Sequence, residues 1–220
     1  MQALPFTRRL LTGLTVLALA GYMSGSALGA VVFESREAGE GRVVIDGTSN
    51  VKDWDVAGED VRGRIELPPL PDGPAAALPE RFLAVTPAAQ IRIPVRSLTG
   101  ESRGMDRRMR SSLEADDHPM ITFNLKELHP PQEREEPAEL PEGAVRFLAE
   151  GELTIAGATK TVRVPTTVTP AEDGGVRIEG RLALKMSDFG IDPPRALLGA
   201  LRTGDEVTVS VTWTPGRENP

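Results

Sequence analysis

The sequence predicts an all-β protein built on one long antiparallel sheet that curls round to face itself, and three observations carry that reading. From about residue 42 to the end, apolar side chains fall on every second position in run after run of strand length. Few segments have helical periodicity, so little else is available to cover the apolar face of such a sheet. Turn formers separate the runs: Gly157 and the cluster Glu172-Asp173-Gly174-Gly175 have hairpin chemistry, which makes neighbouring strands in the second half antiparallel. A sheet of this kind hides its apolar side by closing into a barrel, either filled by its own side chains or holding an apolar ligand.

The first residues stand apart from the sheet. Arg8 and Arg9 make a positive start, Leu10 to about Met23 is uncharged and mostly apolar, and Ala27-Leu28-Gly29 offers small residues for cleavage. Residues 1–29 therefore read as a signal peptide, and a single domain over 30–220 is expected to be exported to the periplasm or secreted. Thr7-Arg8-Arg9-Leu10-Leu11 is loosely like a twin-arginine signal, although two arginines also serve ordinary secretion. No other uncharged run reaches the roughly 18 residues of a bilayer span, so an integral membrane protein is not expected. The chain has no cysteine, which removes thiolate metal sites, thiol nucleophiles, disulfides and a lipid anchor on cysteine. Its net charge of −7 argues against nucleic acid as a partner.

Strands are predicted over 42–49, 51–57, 61–67, 89–97, 120–128, 144–156, 160–169, 176–186 and 205–214. The alternation is clearest in Val145, Phe147, Ala149, Gly151, Leu153 and Ile155, set against Arg146, Glu150, Glu152 and Thr154; only Leu148 breaks it. Ile91-Ile93-Val95, Ile121-Phe123-Leu125, Val176-Ile178-Leu182-Leu184 and Val207-Val209-Val211-Trp213 repeat the pattern. Two proline-dense stretches, 68–79 and 129–143, suit neither helix nor central strand and read as surface loops. Two short helices complete the set. Over Arg103 to Glu114, Met105, Met109 and Leu113 sit four apart and form one apolar stripe, as in a lid packed on a barrel. Near Pro193 to Leu201, Pro194 fits a first turn and Leu197, Leu198 and Leu201 share a face.

Little in the chain carries catalysis. Gly100-Glu101-Ser102-Arg103-Gly104 matches the nucleophile-elbow pattern between a strand and a helix, but that elbow depends on a parallel sheet with crossover helices, which this chain lacks. A hydrolase using Ser102 is thus a distant reading. The two histidines, His118 and His129, each precede a proline in or beside a loop, and Asp116, Asp117 and His118 diverge along an extended segment, so no metal site is expected. Arg107, Arg108 and Arg110 either form the wet face of the first helix or hold an anionic headgroup, which guanidinium forks suit.

Four segments in order carry a resemblance. They are Ser97-Leu98-Thr99-Gly100 with Met105-Asp106, Met109, Ser112-Leu113 and His118-Pro119-Met120-Ile121-Thr122-Phe123; Gly151 through Lys160; Ser187-Asp188-Phe189-Gly190-Ile191; and Thr203-Gly204-Asp205-Glu206-Val207. Together they resemble the YceI-like family of lipid- and polyisoprenoid-binding periplasmic barrels over most of residues 42–214. Membership implies an eight-stranded, lipocalin-like, extended antiparallel β-barrel capped by one or two short helices, with no catalytic residues and no cofactor. It also implies a polyisoprenoid, isoprenoid quinone or other lipid-like chain as ligand. Lys52 stands where one branch of the family often has a histidine before its Asp-Trp pair, here Asp53-Trp54.

Inward members of the alternating strands and of the helix stripe are then the lumen candidates: Trp54, Ile93, Met105, Met109, Leu113, Phe123, Phe147, Leu184, Phe189 and Trp213. Arg107 and Arg108 are the headgroup candidates. The rival expectation is a barrel filled by side chains that acts as a protein-interaction or structural module. A homodimer is open, since an exported barrel can bury part of an edge or mouth.

Overall fold

The computed structural model describes residues 31–35, 41–67, 87–131, 140–171, 176–196 and 200–217, and among these described residues are thirteen strand segments and one α-helix. The strands are β1 (Val31–Glu34), β2 (Gly41–Ser49), β3 (Trp54–Gly58), β4 (Arg62–Leu67), β5 (Ala88–Pro94), β6 (Thr99–Gly100) and β7 (Met120–His129). They continue with β8 (Val145–Ile155), β9 (Ala158–Pro170), β10 (Val176–Lys185), β11 (Arg195–Ala196), β12 (Leu201–Trp213) and β13 (Gly216–Arg217). The helix α1 spans Arg103–Ser112.

The pairing reduces these segments to a simpler figure. β1 and β2 pair with β4 and β3 on one side and with β13 and β12 on the other. β3 and β4 in turn pair with β6 and β5. Each of the couples β1–β2, β3–β4, β5–β6 and β12–β13 is therefore one bent strand. Counted this way, eight antiparallel strands run round a common axis, each paired with the next in sequence and the last with the first. β11 stands off this ring and pairs only with the start of β12. The thirteen segments exceed the eight strands expected because the bends interrupt the ladders. Pro94 precedes a single 3-10 turn at Val95–Ser97, and Pro215 lies between β12 and β13; proline has no N–H to give a ladder.

Local chemistry sets the joints. Ala156 and Gly157 both have positive φ, 46° and 77°, the requirement of the two-residue turn that joins β8 to β9 tightly. Between Leu125 and Glu127 the β7–β8 register shifts, so a bulge at Lys126 reverses the facing of later residues and turns Leu128 inward. Leu148, which breaks the alternation in β8, lies in register between His129 and Pro165 and is only 8% exposed.

Several expectations are corrected. Of the helix expected over Pro193 to Leu201, the described ends are not helical: Arg195 and Ala196 pair with Arg202 and Leu201, and residues 197–199 lie outside the described residues. The strand expected from 51 begins at Trp54, and the one expected to 97 ends at Pro94. The segment read as a signal peptide, the loop at 68–79 and residues 132–139 of the second loop also lie outside the described residues.

The barrel has two unlike ends. At one, β12 finishes and Trp213 is wholly buried among Val43, Val61, Phe33, Ile65 and Phe147. The Trp213 indole donates its Nε1–H to Ser35 Oγ at 2.6 Å, and Ser35 Oγ donates to the Val61 carbonyl at 3.2 Å. Gly63 makes this seat: a Cβ there would lie 2.8 Å from the Trp213 ring and 2.7 Å from the Gln90 carbonyl oxygen. At the other end lies α1. Ser102 caps it by accepting from the Met105 N–H at 3.2 Å, and Asp106 accepts from the Gly100 N–H at 2.8 Å, tying the first turn to β6. Met105, Met109 and Leu113 pack down on the core, yet no residue of α1 is fully buried.

Candidate functional site

Between the Trp213 floor and α1 the barrel encloses a cavity of about 460 Å³. That lies within the roughly 300–1,000 Å³ of ordinary small-molecule sites. The walls show directly that the interior is not filled. Ile45, Phe123, Val164, Ile178, Leu182 and Val209 all line the cavity, and all remain half-buried although they point to the axis. In the floor, by contrast, Trp213, Phe147, Phe33, Val43 and Ile65 are 7% exposed or less. Along the strand wall the polar side chain is Thr166, whose hydroxyl donates to the Val164 carbonyl at 2.9 Å. No buried charged residue occurs among the described residues, so the lumen surface is hydrocarbon.

Polar groups gather at the mouth. The turn between β2 and β3 contributes Ser49, Val51 and Lys52; Glu101, Met105, Arg108 and Ser112 come from the approach to α1 and from α1 itself; Arg195 and Thr203 come from the hairpin of β11 and β12. Lys52 and Glu101 form an ion pair across this rim. Val51 is 69% exposed at the tip of its turn and adds an apolar lip. Asn50 locks two rim elements together, donating to the Ala200 carbonyl and accepting from the Arg202 N–H, both at 2.8 Å.

Of the lumen candidates, Trp213 and Phe147 lie at the floor, and Ile93 is in the wall just before the bend of β5. Phe123 lies over Gly151, where a Cβ would meet its ring at 2.5 Å. Trp54, Leu184, Met105, Met109 and Leu113 line the mouth half; the Trp54 ring covers Gly47 and its Nε1–H donates to the Thr48 carbonyl at 2.9 Å. Phe189 does not line the cavity. It is 3% exposed in a separate cluster with Ile155 and Ile191, below a 3-10 turn (Met186–Phe189) that Asp205 holds by accepting from the Ser187 N–H at 2.8 Å and its hydroxyl at 2.6 Å. Those two bonds, the hydroxyl's first, hold the Asp205 carboxyl below its ordinary range. Arg108 lines the cavity and Arg107 does not, because successive residues on a helix point about 100° apart.

The alternation pointed to the wall residues that were not singled out, such as Ile178 and Val211; of the rim, Arg108 was a headgroup candidate and Lys52 was noted beside the Asp53-Trp54 pair, whereas Glu101 and Arg195 had no signal. The members of the rim come from three distant segments that only barrel closure brings together. The remaining chemical candidates have structural partners. Ser102 is occupied as the cap of α1. His118 lies against Gly157 with Nε2 3.7 Å from Glu114, and His129 Nε2 is 3.4 Å from Glu150 Oε2. Glu150 also accepts from Arg163 at 2.6 Å, the main cause of its lowered pKa. Among the described residues no group of three or more side chains is placed to hold a metal ion.

A family model for the YceI-like domain matches residues 47–214. Among solved structures the fold is similar to BcnA of Burkholderia cenocepacia at 20% identity and a TM-score of 0.56, covering 81% of this chain and 99% of that one. It is also similar to a polyisoprenoid binding domain from Saccharophagus degradans implicated in plant cell wall breakdown, at 14% identity and a TM-score of 0.59, covering 87% and 99%. A third is the YCEI protein of Campylobacter jejuni, at 18% identity and a TM-score of 0.50, covering 75% and 85%. No curated protein matches the sequence. Among the described residues no helix is long and apolar enough to cross a membrane.

Proposed function

The chain belongs to the YceI-like family, and on that premise we propose that it binds the hydrocarbon chain of a polyisoprenoid, an isoprenoid quinone or another lipid-like molecule in its lumen. The observation that carries this reading is the ring of incompletely buried apolar side chains around about 460 Å³ of interior space. Energetics make such a site effective without chemistry: transfer of one five-carbon isoprene unit into a dry lumen yields about 3–4 kcal/mol gross, at about 0.8 kcal/mol per methylene-sized group. The Trp213 floor closes one end, so the chain enters past α1 and leaves its end group at the polar rim. The protein acts by binding rather than catalysis. The similar domain of Saccharophagus degradans is named for polyisoprenoid binding, which is consistent with this reading.

The signal-like character of residues 1–29 supports export to the periplasm, which the N-terminal mass of the mature protein from its own host would check. Ligand binding is tested by native mass spectrometry of the same material before and after organic extraction, together with displacement of a fluorescent lipid. An adduct removed by solvent and a saturable displacement are expected. A clean protein mass together with no displacement would overturn the proposal.

A further inference from the structure

The two ends of the barrel differ in the state of their cations. Near the floor, Arg42, Arg62 and Arg64 are paired with Glu59, Asp60 and Glu66. On α1 the exposed Arg103, Arg107 and Arg108 have no carboxylate partner among the described residues. The neighbouring carboxylates are engaged elsewhere: Glu101 pairs with Lys52, Asp106 accepts from the Gly100 N–H, Glu114 lies against His118 and Asp116 pairs with Arg96, while Asp117 lies past the C-terminal end of the helix. A Cβ on Gly104 would lie 3.9 Å from Arg108 Nη1 and 4.0 Å from Arg107 Nη2, so two guanidinium groups gather over the first turn of α1. Arg103 stands one turn before Arg107 on the same face. Like charges gathered this way repel until something anionic meets them.

This charge borders the opening of the lumen. Arg108 lines the mouth, and Val51, 69% exposed at the tip of its turn, stands on the same rim. Cations beside an exposed apolar lip make a surface suited to a membrane, where the cations meet anionic headgroups and the apolar side chain reaches between them. The proposed cargo points the same way. Each isoprene unit favours an apolar phase over water by about a hundredfold or more, so a chain of several units passes to and from a lipid phase rather than free solution. Trp213 closes the far end, which leaves the mouth to face that phase. The net charge of −7 does not forbid the contact. β9 and β12 each run for 13 residues, about 40 Å of chain, against a screening length of about 10 Å at 0.1 M salt, so charges near the floor are little felt at the mouth.

We infer that the outer face of the mouth, formed by Arg103, Arg107 and Arg108 of α1 together with Val51, docks on a bilayer surface that contains anionic lipid, and that the chain is exchanged there. The inference rests on the lumen reading for what the contact achieves, but the contact itself is measured without any lumen ligand. An arginine near an anionic surface strengthens binding about fivefold, so the three together give a preference on the order of a hundredfold.

The test is flotation of the full mature protein with vesicles of phosphatidylcholine alone or of phosphatidylcholine with about 30% phosphatidylglycerol. In about 0.1 M salt the anionic vesicles are expected to bind about a hundredfold more tightly, and in about 0.5 M salt that difference falls below about tenfold. The R103A/R107A variant, whose altered side chains do not line the cavity, should bind anionic vesicles about 25-fold more weakly while taking up a fluorescent alkyl probe in solution as before. R103K/R107K should stay within about twofold of the unmodified protein, because a bilayer responds to charge rather than to the guanidinium fork. V51D, on a separate element, should weaken binding about fivefold. Equal binding to the two vesicles, unchanged binding by R103A/R107A, or loss of binding in R103K/R107K would each overturn the docking face. Absence of vesicle binding would also overturn it and leave an acidic protein as the occupant. Vesicle binding without probe uptake in solution would overturn the lumen reading and leave the contact standing. Should R103A/R107A not fold, V51D and the salt dependence decide: binding to anionic vesicles that neither one weakens contradicts the inference.

Discussion

The floor and the middle of this barrel are built from the same kind of residue on the same strands, yet they differ in what surrounds the side chains. On β12, Trp213 is wholly buried while Val209 and Val211, the preceding inward positions, are half-buried around empty space. On β8, Phe147 is 3% exposed, but Leu153, further along the same face, is half-buried. The floor closes because bulk meets a glycine seat: the indole of Trp213 occupies space that a side chain at Gly63 would fill. The middle stays open because the strands carry medium-sized residues that reach toward the axis without meeting. A closed barrel of eight strands is close to the limit at which side chains alone fill the interior, so a modest change in side-chain size decides between plug and pocket.

The comparison predicts unequal responses to mutation. Trp213→Ala should have the largest effect, a loss of about 3–5 kcal/mol from the cavity left behind. At roughly 2–4 °C per kcal/mol for a chain of this size, calorimetry should record a melting temperature lower by about 6–20 °C. A fall of only a degree or two would mean that the floor does not hold the barrel closed.

The mouth is held by polar anchors more than by burial, so its variants should act locally. Ser102→Ala removes the cap of α1 and should cost about 1 kcal/mol. Hydrogen exchange should then quicken across residues 103–113 and stay unchanged around Trp213; quickening at both ends would show that the helix and the floor are one cooperative unit. A smaller effect is expected from acid. The native pKa of Asp205 lies below its unfolded value, so its contribution is present at neutral pH and is lost as pH falls from the ordinary carboxylate range through the lowered native value. Asp205→Asn should flatten that part of the stability profile, and a profile identical to that of the unmodified protein below about pH 4 would remove Asp205 from the account.

How much of this was legible in the sequence follows from the range of the interactions concerned. Alternation is a property of neighbours, so the strands carrying Ile121-Phe123-Leu125, Phe147 through Ile155 and Val207 through Trp213 could be read directly, and nine of the ten lumen candidates do line the cavity. Phe189 was misplaced because its segment is a 3-10 turn, where strand parity has no meaning. Leu128 was hidden by the bulge at Lys126, which adds a residue and reverses the facing after it. The ends of the helix expected over Pro193 to Leu201 are not helical because Arg195 and Ala196 found partners in β12, a pairing that local propensity does not register. Of the charged rim only Arg108 was anticipated, from its helix, since Lys52, Glu101 and Arg195 converge only once the ring is closed.

The central claim, that the middle of the barrel is unoccupied by protein, is tested most directly at Leu182, an inward and half-buried residue of the wall. The thermal midpoint of Leu182→Trp in the ligand-free protein should stay within about 2 °C of the unmodified value, because an indole enters vacant space. A filled interior would instead be overpacked, at a cost of about 1–3 kcal/mol and a drop of several degrees, and that result would contradict the account.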